Sequence, residues 1–377
     1  MQILIAPNAF KNSLNSEDAA AAIQLGLEQS RLDCHCECFP IGDGGDGTGD
    51  LILKKCGGIL VHLDVSDPLK RIVRSSYGLI DNGKTAIIEM AGASGLRLLA
   101  SEELNPLAAT SFGTGEMIRS ALDQGADKII IAMGGSATVD GGCGILAALG
   151  IRFLNDQGEV LSGMPENLVH LSTVDLSGLD ARILNCELVV LCDVDNKLLG
   201  EYGSAAVFGP QKGATVEGVR KLEASLFALR EKALLQTGRD MDAIKYGGTA
   251  GGAAAGLHVF LNAKLVNGIE YFLELTGFNV SLQKSDLVIT GEGSIDEQTL
   301  SGKGPFGVAY QAKLKNIPVI GLAGKVPLEE NKKISDFFDV LLAIGDEPAD
   351  FDAALKRTAA NLMRTSRELG NLMALGR

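Results

Sequence analysis

The sequence contains no tryptophan, five tyrosines and only four histidines, too few flat side chains for a platform on which nucleic-acid bases stack. It holds no basic tract. Lys plus Arg total 34 against 47 Asp plus Glu, a formal charge of -13 that repels nucleic acid and anionic lipid alike. No apolar run approaches the ~20 residues that cross a bilayer, so no membrane partner is expected. The start of the chain, with the strand-like run Ile3 to Ala6, lacks a basic segment leading into an apolar one, and no export leader is read there. Seven cysteines, an odd number, suggest reduced thiols and a cytoplasmic location. Cys34, Cys36 and Cys38 alternate with His35 and Glu37. On a strand the thiols face one way and the other two side chains the other, so the five cannot close a metal tetrahedron. No G-x-x-x-x-G-K-[ST] phosphate loop occurs anywhere, and any phosphate must be held by other means.

What the sequence has in excess is glycine, 47 of 377 residues against a background of about 7%. The chain must turn sharply, or pass close to something, at many places. Its length exceeds the ~250 to 300 residues at which one core stops growing, so two domains are expected. The opening reads strand, helix from Ser16, strand Cys34 to Ile41, glycine-rich turn, helix from Asp50. From Leu287 onward short apolar strands again alternate with helices, as in a parallel sheet covered on both faces. Between about Leu60 and Met90 the pattern changes to strands joined by turns at Asp67-Pro68 and Asp81-Asn82-Gly83. The fold class expected is α/β: a doubly wound parallel sheet from both chain ends, residues 1–65 and 282–377, interrupted by an inserted mixed α/β domain, residues 66–281. One larger sheet, drawing in Ile129 to Met133 and Leu188 to Cys192, is the alternative. A small ligand is expected between two such domains.

Four segments could carry chemistry. Gly42 to Gly47 satisfies G-x-G-x-x-G between a strand and a helix, but Asp43 and Asp46 would set two negative charges against a pyrophosphate. Such a loop suits a hydroxyl-bearing ligand or a magnesium ion better, if it is not a plain acidic turn. Gly134 to Gly142 follows an apolar strand and combines four glycines with Ser136, Thr138 and Asp140, a passage able to wrap amides and hydroxyls around an anion. Asp193 and Asp195 follow the strand Leu188 to Leu191. If the strand ran on through them they would share a face, one to hold magnesium and the other to accept a hydroxyl proton; a solvated strand end is the bland alternative. Thr290 to Lys303 places Gly291, Glu292, Gly293 and Asp296 after another apolar strand, with Lys303 between two glycines. Carboxylates for a metal and a lysine for phosphate oxygens are the parts of phosphoryl transfer. Lys212, beside Pro210, and Lys11, beyond the first strand, could add positive charge, although each lysine alone is more often a surface residue.

These segments, with Ala6 to Lys11, Glu89 to Gly95, Thr110 to Glu116, Cys192 to Asn196 and Phe208 to Ala214, resemble the bacterial type of glycerate kinase in order and spacing over essentially the whole chain. The resemblance implies a flavodoxin-like domain with an inserted α/β domain, and transfer of the γ-phosphoryl group of ATP, with Mg2+, to D-glycerate, giving 2-phosphoglycerate. It implies Asp193 as base, with Lys11 and Lys303 also catalytic. Asp195, Glu292 and Asp296 would surround the metal. Asp43, Ser136, Thr138, Asp140 and Lys212 would hold the substrate, and Gly134, Gly135, Gly291 and Gly293 the nucleotide. Family members commonly carry Asp and Ser at Asn8 and Ala9, Asn at Val139, and a basic residue at Ser294. A glycerate-binding relative disabled at Asn8 and Ala9 is one rival reading. Another is a nicotinamide-dependent hydroxy-acid oxidoreductase, which would need a histidine or lysine for its hydride chemistry; no histidine lies in the glycine-rich segments. Assembly is left open, a homodimer included.

Overall fold

The computed structural model describes residues 1–162, 165–297, 299, 302–329, 331–348 and 350–376. Positions 298, 300 and 301 of the Thr290 to Lys303 segment lie outside the described residues. The chain separates into two compact units, residues 1–43 with 269–377, and residues 44–268.

The first unit is built on five parallel strands, β1 (Gln2–Ile5), β2 (His35–Cys38), β11 (Leu287–Ser294), β12 (Val319–Lys325) and β13 (Val340–Ala343). They lie in the order β13-β12-β11-β1-β2. Counted along this unit alone, that is 2-1-3-4-5 read from the other edge, the flavodoxin-like order. The apolar runs Ile3–Ile5 and Leu287–Ile289 are fully buried, as central strands covered on both faces must be. The first helix, Ser16–Glu28, begins where expected and is capped by Asn15, whose side chain accepts from the Asp18 amide at 2.8 Å. That helix packs along Thr358–Leu375, where Gly26 leaves no room for a side chain against the Met363 carbonyl. Cys34, Cys36 and Cys38 turn inward on β2 against this core, and burial pushes the Cys36 thiol up to about 12.

The second unit holds a six-stranded sheet in the order β10-β9-β6-β5-β4-β3. Its strands are β3 (Ile59–Ser66), β4 (Ile72–Ile80), β5 (Thr85–Glu89), β6 (Lys128–Ala132), β9 (Glu187–Cys192) and β10 (Lys264–Asn267). β5, β6, β9 and β10 run parallel, while β3 to β4 to β5 is an antiparallel meander. β7 (Arg152–Leu154) and β8 (Thr173–Asp175) form a separate ribbon. Two large sheets and the β7–β8 ribbon are therefore present among the described residues, where a single larger sheet was the alternative.

The domain limits differ from those expected. Residues 44–65, assigned from sequence to the first domain, belong to the second unit, because β3 pairs along its whole length with β4. At the other end the second unit stops at Gly268 rather than 281, and Phe278 and Leu282 are buried in the first unit, with Phe278 edge-on to Phe39.

Candidate active site

In the second unit β5, β6 and β9 lie side by side, with Glu89, Ala132 and Leu191 in register. The segments that follow them leave one edge of the sheet, the carboxyl edge at which open α/β sheets bind ligands. Backbone hydrogen bonds stitch those segments together. Gly134 donates to the Gly44 carbonyl at 2.9 Å, Leu96 to Gly135 at 2.9 Å, and Ala137 to Ser94 at 2.8 Å. Gly134 is required by contact, because a Cβ there would lie 2.9 Å from the Gly45 carbonyl carbon and closer still to its Cα. Gly135 sits beside it, exposed, at φ +72°.

Behind this edge Lys212 is 3% exposed. Its Nζ donates to Ser136 Oγ at 2.9 Å and to the Thr138 carbonyl at 2.7 Å. Burial lowers its pKa to about 7, and the nearby carboxylates of Asp140 and Asp193 oppose that shift. Thr138 Oγ1 is buried with no hydrogen-bond partner, an orphan that costs ~1 to 3 kcal/mol. Lys212, Ser136, Thr138, Asp140 and Asp193 are thus brought together. Asp140 departs from expectation. Its carboxylate accepts from the Ser111 amide and hydroxyl and from the amides of Gly142 and Gly144, at 2.7–3.1 Å, so it shapes the loop and has little capacity left for a substrate. The strand does not run on through Asp193 and Asp195. It ends at Cys192, leaving Asp193 half-buried and Asp195 exposed, so they share no strand face.

In the first unit the chain reverses between β1 and β11, the topological switch point of this sheet. The loop after β1 carries Asn8 and Lys11, and the end of β11 carries Gly291, Glu292 and Gly293. Asn8 donates its amide to the Gly291 carbonyl at 2.8 Å, and its side chain donates to Asp43 Oδ2 at 2.8 Å. The Gly304 amide also reaches Asp43 Oδ2, at 3.3 Å. Glu292 is 7% exposed and accepts from Thr299 Oγ1 at 2.9 Å. Burial raises its pKa to about 7; Lys303 and the Thr299 hydroxyl pull it down, while Asp43 and Asp296 push it up. Asp296, half-buried, accepts from Ser294 Oγ at 3.2 Å. Lys303 caps the helix Gly304–Lys313, and Lys11 is exposed with its backbone near Gly293. Asp43, Glu292, Asp296 and Lys303 thus form a second group. Among the described residues no three His, Cys, Asp or Glu side chains stand close enough to enclose a metal.

A family model described as the glycerate kinase family matches residues 3–374. The chain belongs to the glycerate kinase family. Over its whole length it is 42% identical to the glycerate kinase of Bacillus subtilis strain 168 and 40% identical to the glycerate 2-kinase of Escherichia coli K12, each covered to 99%. A crystal structure from Salmonella typhimurium LT2, provisionally named glycerate kinase 2, superposes with a TM-score of 0.82 at 40% identity, covering 100% of this chain and 99% of that one. Family membership brings ATP as co-substrate and leaves no place for the nicotinamide reading.

Glu89 to Gly95 carries the family resemblance but no expected role. Glu89, at the end of β5, accepts from the Gly49 amide at 2.7 Å. Burial raises its pKa to about 7; the Gly49 bond opposes this, and Asp46 and Asp50 add to it. A Cβ on Gly49 would meet Glu89 Cγ at 2.8 Å. The available signal was a carboxylate closing an apolar strand just before a glycine-rich segment.

Proposed function

We propose that this chain transfers the γ-phosphoryl group of ATP to the 2-hydroxyl of D-glycerate, giving 2-phosphoglycerate and ADP. The observation that carries the reading is the likeness, over the full length of both chains, to relatives named glycerate kinase and glycerate 2-kinase. The geometry supplies parts that suit it. Phosphoryl transfer asks a protein mainly to position reactants and to offset charge. Asp193 accepts the hydroxyl proton. Lys212, held by Ser136 and Thr138, offers an ammonium whose energy falls when a phosphate or carboxylate oxygen approaches, since burial otherwise disfavours its charge. Asp140 holds the loop that presents them. The glycine backbone around Gly134 and Gly135, and around Gly291 and Gly293, carries no side chains that would keep phosphate oxygens away. Lys11 and Lys303 add charge in the first unit, and Asp43, steadied by Asn8, takes an acceptor hydroxyl.

Magnesium fits the donors present without a protein cage, because the ion is usually held by one or two carboxylates together with phosphates and water. Glu292 and Asp296 are the carboxylates that would hold it. Bound there, the ion would neutralise charge on the β- and γ-phosphates. The seven cysteines are free thiols, which suits a reaction in the reducing cytoplasm.

The test is ADP release from magnesium-ATP with D-glycerate, followed by identification of the phosphorylated isomer. Release with 2-phosphoglycerate as product supports the reading. Binding of glycerate without ADP release would instead favour a relative disabled at Asn8 and Ala9.

A further inference from the structure

The second unit contains a cavity of about 310 Å³ to which none of the roles above is assigned. Its polar wall is formed by Asp50, Arg74, Ser75, Ser76, Glu89 and Arg97, over an apolar floor that includes Leu53 and Ile87. Among the described residues each guanidinium makes one exposed ion pair, and Arg97 also feels the Glu89 carboxylate across the cavity wall. Arg74 meets Asp64 at 3.1 Å and Arg97 meets Asp46 at 3.0 Å, and all four side chains are about half exposed or more. Exposed pairs of this kind contribute little, so an incoming oxyanion can take over either arginine. Ser75 Oγ already donates to the Gly92 carbonyl at 2.9 Å, which leaves its lone pairs to accept a ligand's hydroxyl. An arginine fork for a carboxylate beside acceptors for a hydroxyl describes a small hydroxy acid.

The cavity stands apart from the reacting end. Strands β5 and β9 are separated by β6, which puts Glu89 ~10 Å from the end of β9, and the cavity extends from β5 toward β4 and β3, away from β9. The cavity is nevertheless wired to the glycine-rich loop: Glu89 holds the Gly49 amide, and Arg97 holds Asp46.

We propose that this cavity is a second binding site, for a small hydroxycarboxylate anion, and that the Gly44–Gly49 segment, which runs into the helix Thr48–Cys56, responds to its occupancy. Arg97 takes the carboxylate and in doing so lets go of Asp46; Glu89 and Ser75 receive the hydroxyl. The proposal rests on the functional reading only for Asp193 as the reacting end; binding itself is independent of turnover.

The experiment is calorimetric titration without nucleotide, using D-glycerate and, separately, lactate, on wild-type protein, Asp193→Asn and Arg97→Gln. Amide hydrogen exchange over residues 44–49 is followed in the same samples. Expected are two sites for D-glycerate in the wild type. Arg97→Gln should weaken one of them tenfold or more and abolish the exchange response, while Asp193→Asn retains that site and the response. Lactate distinguishes a site for the hydroxy-acid class, which it should occupy, from one that takes only the acceptor; its failure to bind would overturn the class assignment. A single D-glycerate site, or two sites and an exchange response unchanged in Arg97→Gln, would overturn the proposal. If Arg97→Gln lowers the melting temperature by more than a few degrees, Arg74→Gln is read in its place. Absence of ADP release would remove the kinase reading and leave the binding result standing.

Discussion

At the scale of single residues, three buried ionisable groups deviate most usefully from ordinary chemistry: Lys212, Glu89 and Glu292, each with a pKa of about 7. For Glu89 the consequence for stability has a definite sign. Its carboxyl titrates near 7 when folded and at an ordinary 4.5 when unfolded. Between those values the native state binds the extra proton, so stability falls as pH rises through the window and is level above it. Glu89→Gln carries no such proton. Relative to wild type it should gain up to ~3.5 kcal/mol between pH 4.5 and 7, at ~1.4 kcal/mol per pKa unit, and no more beyond. Urea unfolding of both proteins at pH 5, 6, 7 and 8 measures this; a difference that stays flat with pH would mean that Glu89 is already ionised in the native state. Asp193 is tested by turnover. If it accepts the hydroxyl proton, Asp193→Asn should lower kcat by ~100-fold or more while leaving nucleotide binding in place. An unchanged kcat removes that role. Much of this was legible as residue type and spacing: Lys212 stood out for its place beside Pro210 and Gly213. Its burial, the orphan hydroxyl of Thr138 and the diversion of Asp140 to loop-building amides were not legible, because each depends on partners distant in sequence.

At the scale of elements, apolar runs identified strands well wherever both faces were to be covered. β1, β6, β9 and β11 begin within a residue of the apolar runs read at Ile3, Ile129, Leu188 and Leu287. The failures lie where a tertiary partner decides. Residues 59–65 fall in the first domain by the expected limits, although the pattern from about Leu60 already reads as strands joined by turns; the antiparallel register of Ile59 to Ser66 with β4 carries them into the other sheet. The strand before Asp193 was expected to run on, yet it stops at Cys192, and Asp193 begins a loop. The glycine-rich loops show what local chemistry sets and what packing adds. Gly134 to Gly142 announced itself by composition, whereas its crossing against Gly44 and Gly45 is visible only in three dimensions. Gly134→Ala tests that crossing. A methyl group there has no place against Gly45 backbone, so the loop must move, at a cost of ~1–3 kcal/mol and with a fall in kcat/KM of tenfold or more. Gly345→Ala is the matched control. No heavy atom lies within 4 Å of its Cβ and its φ is not positive, so melting temperature and activity should both stay near wild type. Equal behaviour of the two variants would show that the crossing does not constrain the loop.

At the scale of the whole molecule, the chain builds two cores and not one. Leu4, Ile5, Ile289 and Leu322 with their neighbours are buried in the first unit, and Ile88, Ile131, Val190 and Leu257 in the second. Each core is assembled from its own sheet and helices, and the described apolar clusters draw their members from one unit apiece. The backbone passes between units at Asp43–Gly44 and Gly268–Ile269, so the first unit is completed by residues from both ends of the chain. Completing it requires closing a loop of more than 200 residues, but the entropic cost of closure grows only slowly with length. The second unit is continuous and draws on no such closure. Chains with more than one core commonly depart from all-or-none unfolding. Differential scanning calorimetry should therefore give a calorimetric enthalpy larger than the van't Hoff enthalpy, and hydrogen exchange in moderate denaturant should release amides of β1, β11 and β12 at a different free energy from those of β5, β6 and β9. A ratio of one, with both sets of strands exchanging together, would mean that the two cores unfold as a single cooperative body.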